Sequence, residues 1–148
     1  MPPREGGFAQ FLAMPESNLV TVPDSVSLQK ACLAEPIACG WHAVRLAGAA
    51  LDVPLADARC LVIGGGDIGL GAALVLAAGG ASEIHMAEPN PGRRAVAAKA
   101  GPFKAFDPVE QSVTGMDLVI DGVGFAATRA EACRAVQPGG VIVHIGLG

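Results

Sequence analysis

Tyrosine is absent from these 148 residues, and charged side chains make up only 16% of them. So little charge, set against an apolar share of 51%, excludes an intrinsically disordered chain, which lacks the apolar surface to offset the entropy of folding. Basic residues are the scarcer sign, ten against 14 acidic ones, for a net charge of −4. That balance excludes the basic patch a nucleic acid or an anionic membrane surface requires. No apolar run is long enough to span a bilayer. The longest, residues 68–81, is interrupted by glycines and falls short of the roughly 20 residues needed. The N-terminus, Met-Pro-Pro-Arg-Glu-Gly-Gly, lacks the apolar segment of a secretory signal. There is no C-x-x-C pair among Cys32, Cys39, Cys60 and Cys133. Small buried thiols in a reducing cytoplasm are therefore the expectation. The length suits one domain with part of another.

What is present is a glycine-rich turn between two apolar segments, Arg59-Cys-Leu-Val-Ile-Gly64-Gly-Gly66-Asp-Ile-Gly69-Leu. The spacing Gly64-x-Gly66-x-x-Gly69 is the dinucleotide-binding fingerprint, and Glu88 follows nineteen positions after the last glycine. Each part has a physical reason. The first glycine allows the tight turn, the second lets backbone approach a pyrophosphate, and the third lets helix pack on strand. The helix then aims unpaired N–H groups and its positive dipole end at the phosphates. The ligand expected is NAD. A methyltransferase turn, Gly-x-Gly-x-Gly, is disfavoured because Ile68 stands where its last glycine belongs.

Along the chain, residues 7–14 read as a strand closed by Pro15, and residues 18–22 as a second extended piece. A helix is predicted over 28–34, stopped ahead of Pro36, and another over 38–51. Strands over 60–63, 83–87, 103–106, 117–120 and 141–145 then alternate with helices over 68–78, 91–100 and 126–136. Gln137-Pro-Gly-Gly reads as a helix stop and turn. Such alternation predicts an α/β fold: a Rossmann-type, doubly wound parallel sheet with right-handed crossovers. Five of its six strands are accounted for, which we read as truncation. The last would then be a bare apolar edge.

Gly6-Gly-Phe-Ala-Gln-Phe, Asn18-Leu-Val, Pro23-Asp, Leu33-Ala-Glu35-Pro36, His42-Ala-Val, Val62-Ile-Gly-Gly-Gly, Asp121-Gly-Val-Gly and Gln137-Pro-Gly-Gly-Val occur in that order. Together they resemble the zinc-containing medium-chain dehydrogenase/reductase family, in particular its alcohol, polyol and threonine dehydrogenases. The resemblance covers nearly the whole chain. It implies that residues 1–35 are the tail of a β-rich catalytic lobe and residues 36–148 an NAD-binding Rossmann domain incomplete at its C-terminus. It further implies hydride transfer from a small-molecule alcohol or polyol to NAD, with catalytic zinc and a tendency to form homo-oligomers. Relatives hold that zinc through a Cys and a Gly-His-Glu segment that have no counterpart here, so the chain alone is expected to be inactive. The alternative is a non-catalytic NAD-binding module.

Site by site, Gly64, Gly66, Ile68 and Gly69 form the phosphate turn. Asp67 departs from the small residue or proline of relatives, and its charge either points at the pyrophosphate or away from it. Glu88 ends the second strand, where a carboxylate accepts both ribose hydroxyls of NAD and repels the 2′-phosphate of NADP. Arg93 flanks the adenine ribose in this reading; alternatively, Arg93 and Arg94 are the polar face of their helix. Val123 is the candidate apolar wall in the loop after the fourth strand. Glu35 matches a zinc-binding position, a role that needs a complete parent enzyme because catalytic zinc takes about three protein ligands. His42, His85 and His144 read as packing or edge histidines, and Cys39 as a buried small hydrophobe.

Overall fold

A computed structural model describes residues 6–148. The chain divides into two compact units, Met1–Cys32 and Leu33–Gly148.

In the first unit, the described residues hold a 3-10 turn, Glu16–Asn18, and one short helix, α1 (Leu28–Ala31), whose N-cap Ser27 accepts the Lys30 N–H. Neither the strand predicted over 7–14 nor the extended piece over 18–22 pairs into a ladder. An extended segment is stable only with neighbours that take up its N–H and C=O groups, and the described part of this unit supplies none; Phe8 and Phe11 are exposed.

The second unit opens with α2 (Ala34–Ala50), so the two predicted helices are present, but the break between them falls at Cys32 and Leu33 and not at Pro36. Pro36 does not end a helix. It sits in the first turn of α2, where backbone N–H groups have no intrahelical partner and proline costs no hydrogen bond. There follow β1 (Arg59–Ile63), α3 (Asp67–Ala78), β2 (Glu83–Ala87), α4 (Pro91–Ala100), β3 (Phe103–Phe106), β4 (Met116–Asp121), α5 (Ala126–Ala135) and β5 (Val136–His144). Asn90 caps α4 by accepting the Arg93 N–H at 3.1 Å, with Pro91 at its first position. The last strand begins earlier than its apolar run suggests. Gln137-Pro-Gly-Gly is not a separate turn but a bulge within β5: Met116 pairs Val136, while Leu118 already pairs Val141. Gly139, at φ +82°, supplies the left-handed residue the bulge needs.

All pairings are parallel, in the order β3-β2-β1-β4-β5. This is the predicted doubly wound sheet, and it has the strand order of the dinucleotide-binding fold. The central strands are apolar throughout because both faces are covered. Cys60, Val62, Leu118 and Ile120 pack with Leu76 and Ala72 of α3 and Ala47 of α2. Leu61, Ile63 and Val119 pack on the opposite face with Ala132 and Ala135 of α5. Each side chain the size of Leu76, fully buried, contributes about 1.5–3 kcal/mol. The outcome for function is a rigid row of strand ends: β1, β2 and β4 all stop at the same edge, where Ile63 lies beside Ala87 and Asp121.

Candidate functional site

The turn after β1 is built around two glycines that have no room for a side chain. Gly64 has φ +94°, and a Cβ there would fall 2.6 Å from Val123 Cγ2. A Cβ on Gly69 would collide with the carbonyl of Gly64, so α3 can lie against β1 only because that position is glycine. At Gly66 nothing lies within 4 Å of where a Cβ would be. The turn is tight on its protein side and open above. Gly66 caps α3 without any side-chain bond to the first turn, which leaves that turn's N–H groups uncapped by protein side chains. Asp67, first residue of the helix, is exposed.

Glu88 lies 3% exposed at the end of β2. Its Oε2 accepts the Gly65 N–H at 2.7 Å and its Oε1 the Asn90 N–H at 2.8 Å. The carboxylate thus ties the glycine turn to the loop after β2, and each oxygen keeps a further lone pair. The two arginines divide their roles. Arg94 Nη1 donates to the carbonyls of Glu88 and Pro89 and to Asp107 Oδ2, so it is a structural clasp. Arg93 is exposed and makes no side-chain hydrogen bond among the described residues.

Between these groups and α5 lies a cleft of about 460 Å³, lined by Gly64, Glu88, Arg93, Val123, Phe125 and Thr128 among others. It brings together four of the predicted site residues, Gly64, Glu88, Arg93 and Val123. Gly66, Asp67, Ile68 and Gly69 do not line it; they follow directly, forming the start of α3.

Sequence reasoning missed how the far wall is held. Asp121, the last residue of β4, is fully buried. Its Oδ1 accepts the N–H groups of Val123 and Gly124, both at 3.0 Å. Its Oδ2 accepts from Thr128 Oγ1 at 3.2 Å and faces His144 Nδ1 at 3.0 Å. Burial alone would raise this carboxyl, but the Gly124 and Val123 N–H groups, His144 and Thr128 outweigh it and hold Asp121 below its ordinary value. His144 is therefore not merely an edge histidine. Phe125, 60% exposed, also lines the cleft and went unnoticed, because a lone phenylalanine beside a glycine turn carries no spacing signal.

The metal reading fares differently. Glu35 is exposed and its Oε1 accepts from Cys39 Sγ at 3.5 Å. Burial, then the Glu35 carboxylate, push the Cys39 thiol up. His42 meets Arg45, and His85 meets Glu83. Among the described residues no three His, Cys, Asp or Glu side chains come together as metal ligands, so the donor set present does not fit a catalytic zinc.

Residues 68–148 match the family model described as zinc-binding dehydrogenase. The chain is 37% identical over 97% of its length to a Saccharomyces cerevisiae protein named probable diacetyl reductase ((R)-acetoin forming) 2, of which it covers 36%. It is 31% identical over 97% of its length to the Escherichia coli L-galactonate-5-dehydrogenase, covering 43% of that enzyme. Among solved structures, the acetophenone reductase of Geotrichum candidum in complex with NAD superposes with a TM-score of 0.78 at 25% identity, over 90% of this chain and 38% of that one. The chain thus spans less than half the length of each of these proteins.

Proposed function

The chain belongs to the zinc-binding dehydrogenase family, and on that premise we propose that it is the NAD-binding part of an oxidoreductase acting on alcohols or polyols. The observation that carries this reading is Glu88, a buried carboxylate pinned against the glycine turn at the mouth of a cleft that reaches α5. Bound there, NAD would supply the hydride acceptor. This chain's residues bind and orient it. The uncapped first turn of α3, opening at Gly66, suits the pyrophosphate. Glu88, fixed by Gly65 and Asn90, offers its remaining lone pairs to the ribose hydroxyls and repels a 2′-phosphate. Arg93 stands beside the same ribose, while Val123 and Phe125 give the adenosine end an apolar surface. Asp67 is exposed at the first position of α3, beside that turn.

We read residues 1–35 as the tail of a catalytic lobe and residues 36–148 as the dinucleotide domain. Of the four free cysteines only Cys60 is buried, while Cys39 is half-buried and Cys32 and Cys133 are exposed, which corrects the expectation of small buried thiols; a reducing cytoplasm and homo-oligomers belong to this reading. Because the described donors do not assemble a zinc site, that same observation favours a second reading, a non-catalytic NAD-binding module.

Calorimetric titration of the purified chain with NAD and NADP tests the first reading. The expected result is binding of NAD with at least tenfold weaker binding of NADP; absence of NAD binding by a folded chain overturns it. A dehydrogenase assay with simple alcohols, NAD and zinc is expected to show little or no turnover by this chain alone. Turnover at an ordinary enzymatic rate would instead exclude the non-catalytic module.

A further inference from the structure

Asp121 is the most completely enclosed charged group in the described chain, and the NAD-binding reading above gives it no part. One carboxylate gathers four donors from three different elements. They are the N–H groups of Val123 and Gly124 in the loop after β4, the Thr128 hydroxyl on α5, and His144 on β5. Its own carbonyl accepts the N–H groups of Ile145 and Gly146, so the residue binds the loops after both strands. What it holds is crowded. Gly122 donates to the Ile63 carbonyl, Gly124 has φ +92°, and Val123 presses toward Gly64 closely enough to forbid a Cβ there. The wall facing the phosphate turn is set by hydrogen bonds to one buried side chain.

Resting on the NAD-binding reading above, we infer that Asp121 is a positioning residue for the dinucleotide. It keeps the 122–124 turn in the one conformation that leaves the cleft open, with His144 as the partner that keeps the carboxylate in place. Among the described residues His144 is the only basic side chain within 4 Å of Asp121. The ring nitrogen facing an ionised carboxylate must carry a proton, and both the imidazolium and one neutral tautomer provide it. When the hold is weakened, a fraction of molecules loses the turn, and apparent affinity falls by that fraction.

The test titrates NAD into the intact chain and three variants, with the melting transition recorded for each. His144→Val removes the donor, His144→Asn restores an N–H at the position of Nδ1, and Asp121→Asn places an amide N–H₂ among donors. The expected outcome is cooperative unfolding in all, NAD affinity about tenfold weaker in H144V and D121N, and recovery of most of the loss in H144N. Folded H144V and D121N proteins that bind as tightly as the parent overturn the inference while leaving the NAD reading intact. A folded parent chain that binds no NAD overturns that reading, and this inference with it. Should D121N fail to fold, the H144V and H144N pair decides, since a purely structural histidine would leave their affinities equal.

Discussion

At the scale of single residues, Asp121 also contributes to how the protein meets acid. Its carboxyl titrates below the ordinary value in the folded chain, so folding binds fewer protons there than the unfolded state does. The stabilisation is complete above the unfolded value, about 3.9, and drains away as pH falls through the lower folded value. Urea unfolding between pH 6 and 2.5 should therefore show a loss of stability below about pH 4 that is smaller in Asp121→Asn. An equal loss in the variant would mean that other carboxylates dominate. Residues differ in how plainly the sequence announces them. Gly64, Gly69 and Glu88 were readable because their spacing is dictated by a ligand-sized turn. Asp121 read only as part of a glycine loop, because Thr128 and His144 come from other elements and meet it only in the folded sheet. Arg93 and Arg94 could not be separated on paper: adjacent helical positions point about 100° apart, and which one faces the cleft depends on the roll of α4.

Among the elements, the close crossing of α2 and α3 decides how the fingerprint helix sits. A Cβ on Gly40 would lie 2.7 Å from the backbone of Ala72, and one on Gly71 would press the Pro36 carbonyl. The two helices touch backbone to backbone. Gly48, eight residues along the same helix, is exposed and meets nothing within 4 Å. The two positions should respond in opposite directions to the same change. Gly40→Ala should cost about 1–3 kcal/mol by forcing the helices apart, while Gly48→Ala should stabilise by about 0.5–1 kcal/mol through helix propensity alone. Denaturant midpoints measure both, and a neutral Gly40→Ala would show that the crossing can relax. Strand and helix identities from β1 onward were legible because their apolar runs are bounded by Gly and Pro. The failures share a cause. Pro36 and the Gln137-Pro-Gly-Gly segment look like breaks locally, yet proline is tolerated in a first helical turn and a bulge absorbs extra residues without ending a strand. The extended reading of residues 7–14 failed because a strand is defined by its partners, which local sequence does not reveal.

For the sheet as a whole, the order β3-β2-β1-β4-β5 reverses direction between β1 and β4, and ligands of open α/β sheets bind at that crevice. Gly64 and Glu88 stand on one side of it and Val123 on the other, so a dinucleotide laid across would touch both halves of the sheet. Zinc has no comparable purchase, since the described His, Cys, Asp and Glu residues form no group of three. The two ligands should accordingly separate in a melting experiment on this chain. NAD at a hundred times its dissociation constant should add about 2.7 kcal/mol of stability, raising the melting temperature by roughly 5–11 °C for a domain of this size. Zinc ions, or a chelator in their place, should leave the transition where it was. A shift with zinc alone would mean that a donor set absent from the described residues closes around the metal; a shift with neither would leave the strand-end cleft without the ligand its shape argues for.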